Sequence, residues 1–188
     1  MYERIFKRCI DCIAAAGTLL LLSPLLLVVA VAIRLEDKGP ALFRQRRVGR
    51  DGRGFTLFKF RSMPVATPDV PSTAAGALKV TRIGRWIRRM NVDELPQLIN
   101  VLRGEMSLIG PRPALPAQAA LLELRRGAGI LRARPGLTGL AQVNAYDGMP
   151  ETEKVRWEGE YISSITFFGD VRIVLATLAY LTRPPPVY

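Results

Sequence analysis

Asp93 and Glu94 are the adjacent carboxylates whose types and spacing are best suited to chemistry in this sequence. Residues 38–92 before them contain thirteen Lys and Arg but only two acids, Asp51 and Asp69. Nearby cations favour the ionised form of a carboxylate. An ionised carboxylate in a basic site can bind a divalent metal or attack phosphorus. Taken alone, such a pair is more commonly an N-capping or surface feature, so the rest of the chain has to decide between these interpretations.

The composition indicates an anionic partner. The chain of 188 residues carries a net charge of +11, and 22 of its 27 basic residues are Arg. Arginine offers a planar fork for phosphate oxygens, so nucleic acid, anionic lipid and phosphorylated substrates are all candidates. The sequence has no His, which excludes Ser-His-Asp catalysis and zinc sites that contain histidine. Cys9 and Cys12 adjoin an apolar segment and are interpreted as small apolar helix residues. The remaining hard ligands, carboxylates and carbonyls, suit magnesium.

The N-terminal region predicts a membrane anchor. A basic amphipathic start, residues 1–11, leads into the uncharged residues 12–33, which as a helix would be ~33 Å long. Ser23-Pro24 lies in the middle of this run, where proline removes a backbone hydrogen bond. Because both flanks are basic, the positive-inside tendency predicts a re-entrant helix-break-helix with both ends in the cytoplasm. A kinked helix that spans the bilayer is the alternative. We assign residues 1–36 to the anchor and residues 37–188 to the domain that it carries.

Several elements could position the carboxylates. Two strands are predicted at residues 43–47 and 55–61 around the turn Asp51-Gly52-Arg53-Gly54, and they would place Lys59 and Arg61 on one face. That face is either part of a site or simply solvated. Pro96 favours the start of a helix that ends at Gly104, with Asp93 and Glu94 at its positive end.

The second half of the chain adds a rigid turn and an amphipathic helix. Gly110-Pro111-Arg112-Pro113 is predicted to present Arg112 with free backbone N–H groups that can hold a phosphate. The last helix, near residues 167–181, contains Asp170 in an apolar setting and is too short in its uncharged part to span a bilayer. The predicted fold is α/β, mostly helical with a small β-hairpin, in a monotopic membrane protein with interfacial amphipathic helices.

Taken together, the motifs resemble one family. They are Lys7-Arg8-x-x-Asp11, Ser23-Pro24, Gly39-Pro40, Phe43-x-Gln45-x-Arg47-x-Gly49, Phe58-Lys59-Phe60-Arg61-Ser62-Met63, Asp93-Glu94-Leu95-Pro96-Gln97-Leu98-Ile99-Asn100-Val101, Met106-Ser107-Leu108-Ile109-Gly110-Pro111-Arg112-Pro113 and Arg134-Pro135-Gly136-Leu137-Thr138-Gly139. From about residue 2 to residue 181 the chain is similar to the bacterial sugar transferases, the small monotopic polyprenyl-phosphate phosphoglycosyl transferases. Jointly, these motifs favour a catalytic interpretation of Asp93 over a surface one.

The resemblance implies a reaction and a set of site residues. The expected enzyme transfers a phosphosugar from a UDP-sugar to polyprenyl (undecaprenyl) phosphate, giving a polyprenyl-diphospho-sugar and UMP. Asp93 is implied as the nucleophile that forms a covalent phosphosugar intermediate, Glu94 as its partner, and Mg²⁺ as a cofactor held by both. Residues implied in phosphate, metal or substrate binding are Lys59, Arg88, Gly110, Pro111, Arg112 and Asp170. The resemblance further implies that residues 37–188 are a cytosolic catalytic domain on a re-entrant anchor. The expected location is the cytosolic face of the bacterial inner membrane, with homo-oligomerisation left open.

Two points separate alternatives at this stage. Many relatives carry Asn-Gly-Arg where this chain has Asn144-Ala145-Tyr146-Asp147, so an arginine that could contact the nucleotide or sugar is missing and the sugar is not specified. The alternative class is a membrane-tethered basic binder of anionic lipid or nucleic acid without catalysis. The sequence contains no helix-turn-helix, zinc-finger or aromatic RNA-binding motif, so we expect no nucleic-acid partner.

Overall fold

A computed structural model describes residues 2–67, 79–146 and 148–181, and within these ranges the chain is mostly helical. The helices are α1 (Lys7–Asp37), α2 (Arg82–Arg89), α3 (Gln97–Arg103), α4 (Ala119–Gly127), α5 (Leu140–Val143), α6 (Glu151–Ser163) and α7 (Phe167–Leu181). The strands are β1 (Leu42–Val48), β2 (Gly54–Phe60), β3 (Ser107–Ile109) and β4 (Gly136–Thr138). The predicted fold class, mostly helical with a small antiparallel hairpin, is confirmed.

The β1–β2 hairpin follows from its turn residues. Between the strands, Asp51 and Gly52 both have a positive φ, 55° and 76°, which Asp and Gly tolerate better than other residues. The strands then pair antiparallel, with Phe43 opposite Lys59. Alternation along β2 buries Phe55 and Leu57 against the helices and leaves Lys59, on the same face, only partly covered.

Helix α1 runs through Ser23-Pro24 without interruption. Pro24 has no N–H to donate to the carbonyl of Leu20, and the Ser23 hydroxyl donates to that carbonyl instead, at 2.8 Å. A local side-chain hydrogen bond therefore replaces the lost backbone bond. The structure has one helix here rather than two helices separated by a break, and a re-entrant path through a bilayer stays a prediction. By length and hydropathy alone, α1 is long and apolar enough to cross a membrane.

Both ends of α1 are attached to the rest of the chain. Near its start, Asp11 accepts hydrogen bonds from the Ser107 hydroxyl at 2.7 Å and from the Leu108 N–H. At its end, the Glu36 carboxylate accepts from the first two N–H groups of α2. Ala15 packs into one buried cluster with β2 and α3, and Val29 and Ile33 pack into a second with Phe60 and Ile87. The helix is thus held at both ends by the same set of elements.

Large apolar side chains remain exposed on α1 and α7. Leu20, Leu21 and Leu35 on α1 are each 78% exposed, and Phe168 on α7 is 82% exposed. On the opposite side of α7, Ile173 is buried among Ile109, Ile130 and Tyr161. Exposed apolar side chains in such numbers along a helix indicate a membrane or protein contact. This pattern agrees with the prediction of amphipathic interfacial helices and fits a monotopic membrane protein.

Candidate active site

The backbone around Asn91 turns the two carboxylates toward the core. Helix α2 ends at Arg89, and Asn91 takes a left-handed conformation with φ 53°, which Asn tolerates. One 3-10 turn, Val92–Glu94, then leads to α3. Val92 is buried beside Phe60 and Ile87, which fixes the turn to the hairpin and to α2. As a result Asp93 is only 2% exposed, so it is not an N-capping acid on the surface.

Lys59 bridges the two carboxylates. Its Nζ lies 2.8 Å from Oδ2 of Asp93 and 3.3 Å from Oε1 of Glu94, although the lysine precedes Glu94 by 35 positions. Lys59 reaches them because it lies on the face of β2 that is turned toward α3. The predicted pairing of Lys59 with Arg61 is not part of this cluster, since Arg61 contacts Asp37 at the end of α1.

Arg112 and Arg88 add positive charge from two further elements. Nη2 of Arg112, which follows β3, lies 2.9 Å from Oε1 of Glu94. Arg88 of α2 donates from Nε to the Ser62 hydroxyl at 2.8 Å, and its charge favours the ionised form of Asp93. Four predicted site residues other than Asp93 are therefore assembled around it: Lys59, Arg88, Glu94 and Arg112.

The two carboxylates have opposite electrostatic settings. Burial raises the pKa of Asp93, and Glu94 raises it further, while Lys59 and Arg88 oppose this. Burial also acts to raise the pKa of Glu94, but Arg112 and Lys59 outweigh it and lower that pKa to about 2. Glu94 is therefore held as an anion, whereas the Asp93 carboxylate is the more basic of the pair.

Asn100 is a positioning residue that sequence reasoning did not identify. It is fully buried, and its side chain accepts from the Phe58 N–H at 3.1 Å and donates to the Thr56 carbonyl at 2.7 Å. These bonds hold α3 against β2 and so fix Lys59 relative to the turn that carries Asp93. The sequence feature that could have identified Asn100 is a polar Asn within an otherwise apolar helix, because a buried amide has to form hydrogen bonds.

Gly110 and Pro111 do not form the predicted phosphate-binding turn. The Gly110 N–H donates to the Thr138 carbonyl at 2.8 Å, and Pro111 has no N–H, so neither offers a free donor. Gly110 is needed for close packing instead. A Cβ at this position would lie 2.4 Å from the Arg134 carbonyl oxygen, because β3 and β4 pass each other in parallel. Together these two residues place Arg112 rather than bind an anion with their backbone.

Asp170 lies in a different cluster. Its carboxylate accepts from Lys7 Nζ at 2.7 Å, from the Tyr2 hydroxyl at 2.7 Å and from the Tyr161 hydroxyl at 2.9 Å. It is 5% exposed and ties the start of α1 to α6 and α7. Its hydrogen bonds satisfy the carboxylate, which explains an Asp in an otherwise apolar helix. The structure therefore does not bring Asp170 to the Asp93 cluster.

The residues fit magnesium only as a partly substrate-held ion. Within residues 2–67, 79–146 and 148–181 no group of three His, Cys, Asp or Glu side chains is arranged to hold a metal. Asp93 and Glu94 offer two carboxylates, each already in contact with Lys59. Magnesium commonly takes one or two carboxylates and completes its shell with water and substrate phosphates. The donor set fits that mode and does not form a metal cage made by the protein alone.

A family model described as "Bacterial sugar transferase" matches residues 2–184. The chain belongs to this family. It is 44% identical over 191 residues to a UDP-glucose:undecaprenyl-phosphate glucose-1-phosphate transferase of Caulobacter vibrioides, covering 97% of this chain and 72% of that relative. The Escherichia coli protein of the same name is 40% identical over 94% of the chain. An Aeromonas hydrophila UDP-N-acetylgalactosamine-undecaprenyl-phosphate N-acetylgalactosaminephosphotransferase is 40% identical over 92% of it.

The match covers unequal shares of these bacterial sugar transferases. The chain spans 40% of the Escherichia coli relative and 42% of the Aeromonas hydrophila relative. The names of these relatives refer to different sugars, glucose and N-acetylgalactosamine. In this chain the Asn144-Ala145-Tyr146 segment precedes α6, and the Tyr146 hydroxyl donates to the Glu153 carboxylate at 2.6 Å. Asp147 lies outside the described residues.

Proposed function

We propose that this bacterial sugar transferase moves a sugar 1-phosphate from a UDP-sugar to polyprenyl phosphate through an intermediate on Asp93. The observation that carries the proposal is the buried Asp93 carboxylate, 2.8 Å from Lys59 and beside an anionic Glu94 that is paired with Arg112. A surface acid or a simple N-cap needs neither burial nor this cation arrangement. The names of the relatives support the same overall reaction class.

The proposed reaction has two displacements at one phosphorus. An Asp93 carboxylate oxygen attacks the phosphorus that bears the sugar, the bond from that phosphorus to the bridging oxygen breaks, and UMP leaves with the bonding electrons. A phosphate oxygen of the polyprenyl phosphate then attacks the same phosphorus and releases the Asp93 carboxylate, giving the polyprenyl-diphospho-sugar. The two steps keep the two anionic substrates apart in time.

The cations of the site reduce the electrostatic repulsion between the nucleophile and the substrate in this reaction. An anionic nucleophile and an anionic diphosphate repel each other, so positioned guanidinium and ammonium groups lower the barrier. Lys59 orients the Asp93 oxygen, and Arg112 and Arg88 are the groups placed to receive phosphate oxygens. Asp93 and Glu94 would hold Mg²⁺ with the substrate diphosphate, where a bound metal supplies Lewis-acid neutralisation of the phosphoryl oxygens.

The attachment of α1 supports a monotopic arrangement at the cytosolic face of the bacterial inner membrane. Lys7 at one end contacts Asp170, and Glu36 at the other end caps α2. A helix that crossed the bilayer would place its two ends on opposite sides of the hydrocarbon core, so one domain could hold both ends only by passing through that core. Since both ends hold the same domain, we propose that both lie on one side of the membrane, and the basic flanks favour the cytosolic side. The site would then face a polyprenyl phosphate at headgroup level.

The test of the nucleophile is the Asp93→Asn variant. It should abolish UMP release from a panel of UDP-sugars with undecaprenyl phosphate, and it should leave no label on the chain after incubation with UDP-sugar labelled in the sugar and no acceptor. Glu160→Gln removes an exposed carboxylate on α6 and serves as the matched control, with wild-type turnover and labelling expected. Full turnover in Asp93→Asn would refute the assignment. Salt-sensitive ligand binding that is indifferent to Asp93, with no turnover in wild type, would instead indicate a non-catalytic basic binder.

Membrane topology is tested separately by cysteine labelling. In a background without Cys9 and Cys12, single cysteines at the exposed positions Glu3 and Pro40 flank α1. A membrane-impermeant thiol reagent added outside spheroplasts should label neither Glu3→Cys nor Pro40→Cys, and both should react after lysis. Labelling of one position alone from outside would show that α1 spans the bilayer.

A further inference from the structure

A basic cavity of about 360 Å³ lies at the tip of the β1–β2 hairpin, away from Asp93. Its charged lining residues are Arg50, Arg53, Arg103 and Arg134, with the acids Asp51 and Glu105. The cavity begins at Gly54, five residues along β2 from Lys59, which corresponds to roughly 16 Å along an extended strand. It is therefore a separate site, and the volume is sufficient for a small ligand or a headgroup.

The positive charge of this cavity is poorly compensated. Glu105 is engaged with the Asn100 amide at 2.6 Å, and Asp51 lies 3.6 Å from Arg50 with both side chains about half exposed. Within residues 2–67, 79–146 and 148–181, the other three arginines form no salt bridge. A half-exposed pair such as Arg50 and Asp51 contributes little stabilisation. A cluster of this charge attracts anions.

Two of the arginines are held in place without an acid. Arg134 donates from Nε to the Gly104 carbonyl at 3.0 Å, and the guanidinium of Arg103 lies 4.8 Å from the centre of the Phe58 ring. Burial lowers the pKa of Arg134, and the nearby charges of Arg50 and Arg8 lower it further. The Arg134 guanidinium is thus close enough to Arg50 and Arg8 to be repelled by both. A fixed guanidinium fork is well suited to phosphate oxygens.

The position of the cavity relates it to the lipid surface. Arg8, in the first turns of α1, donates to the carbonyls of Val101 and Leu102 and lies beside Gly104, which lines the cavity. The exposed apolar side chains of α1 begin directly after it, with Ile10 41% and Ile13 73% exposed. A cavity next to the basic start of a membrane-inserted helix lies where headgroup phosphates are concentrated.

We propose that this cavity is a second phosphate-binding site, which takes the headgroup phosphate of an anionic phospholipid and is distinct from the Asp93 site. Such a site would hold the hairpin, and with it Lys59 on β2, at a fixed height relative to the membrane. A soluble phosphate carries the same chemical group, so the test includes both sources. Binding at this site does not depend on turnover, and the measurements can be made with Asp93→Asn.

The test compares two pairs of substitutions in the full chain. Arg50→Gln/Arg53→Gln removes two exposed cations from the cavity, and Arg126→Gln/Arg156→Gln removes two exposed cations from α4 and α6. Native mass spectrometry of the detergent-solubilised protein with phosphatidylglycerol or phosphatidylcholine measures lipid retention. Calorimetry with inorganic phosphate or UMP measures the binding of soluble phosphates. Thermal unfolding checks that each variant is folded, which the exposure of Arg50 and Arg53 favours.

The expected result is one retained phosphatidylglycerol per chain. The cavity pair should weaken that retention about 25-fold, from roughly fivefold for each arginine at an anionic membrane surface, and the control pair should leave it unchanged. If the cavity pair weakens binding of inorganic phosphate or UMP and not of phosphatidylglycerol, the site takes a soluble phosphate and the lipid assignment is refuted. If both pairs weaken binding equally, or neither does, there is no phosphate site in this cavity.

Discussion

Replacing Lys59 by Met should move the acid limb of the pH–rate profile to higher pH. Lys59 Nζ lies 2.8 Å from Asp93 Oδ2 and is the strongest influence that opposes burial in setting the pKa of Asp93. Without it, burial and the Glu94 charge act on Asp93 with only Arg88 opposing, while Glu94 keeps its contact with Arg112 and stays ionised. Loss of an opposite charge at this range raises a carboxyl pKa by about one to three pH units. Met retains most of the apolar stem, so the packing of β2 is preserved.

The assay is UMP release at low UDP-sugar concentration from pH 4.5 to pH 9, because kcat/KM reports the ionisation of the free enzyme. Wild type should lose activity as the pH falls through an Asp93 pKa above 3.8, and Lys59→Met should lose it at a pH about one to three units higher. Lys59→Arg keeps the charge, and its limb should lie close to that of wild type. The reasoning is refuted if the acid limb of Lys59→Met lies at the same pH as that of wild type or at a lower pH.

Three further predictions concern stability and the anchor. Glu94→Gln should lower Tm relative to wild type above pH 4.5, and this difference in Tm should vanish as the pH falls toward 2. The reason is that a carboxylate with a lowered pKa stabilises the fold only while it is ionised. A Tm difference that stays constant with pH would contradict this prediction. Asp170→Asn should cost about 3 kcal/mol of unfolding free energy, measured by chemical denaturation, since it breaks the buried contact with Lys7, while kcat/KM of the folded protein stays unchanged. A fall in kcat/KM at unchanged stability would place Asp170 in the substrate site instead. Pro24→Ala should leave both ends of α1 on one side in the cysteine-labelling assay, because each end holds the same domain; exposure of one end outside would show that Pro24 sets the topology.

The local features of this chain could be predicted from its sequence. Asp51-Gly52 and the alternation of apolar and polar residues on either side were sufficient to predict the hairpin. The observed strands agree with the predicted strands to within about a residue. Helix α3 begins after Pro96 and ends before Gly104, whose φ of 81° suits glycine. These features depend on backbone preferences and on neighbours a few positions away, so the residues of each segment are sufficient to predict them.

The assignment of site residues was less complete because it depends on distant contacts. The family resemblance implied Lys59, Arg88 and Arg112 as site residues, and the structure places all three around the Asp93–Glu94 pair. The resemblance also implied Gly110 and Asp170, but the Gly110 N–H is bonded to a backbone carbonyl and the Asp170 carboxylate is bonded in a buried network with Lys7. A residue type in a motif does not reveal whether its polar group is already satisfied by another part of the fold.

The sequence by itself determined that this protein is basic, rich in arginine, free of histidine and uncharged over residues 12–33, because these are properties of composition and hydropathy. It also determined the hairpin and the start of a helix just after the adjacent carboxylates. Only the tertiary structure decided which cation meets Asp93, that both ends of α1 hold one domain, and that a second group of arginines surrounds a cavity at the hairpin tip. The physical reason is that Coulomb interactions and burial depend on distance in space, and chain folding brings together residues such as Lys59 and Glu94 that are 35 positions apart.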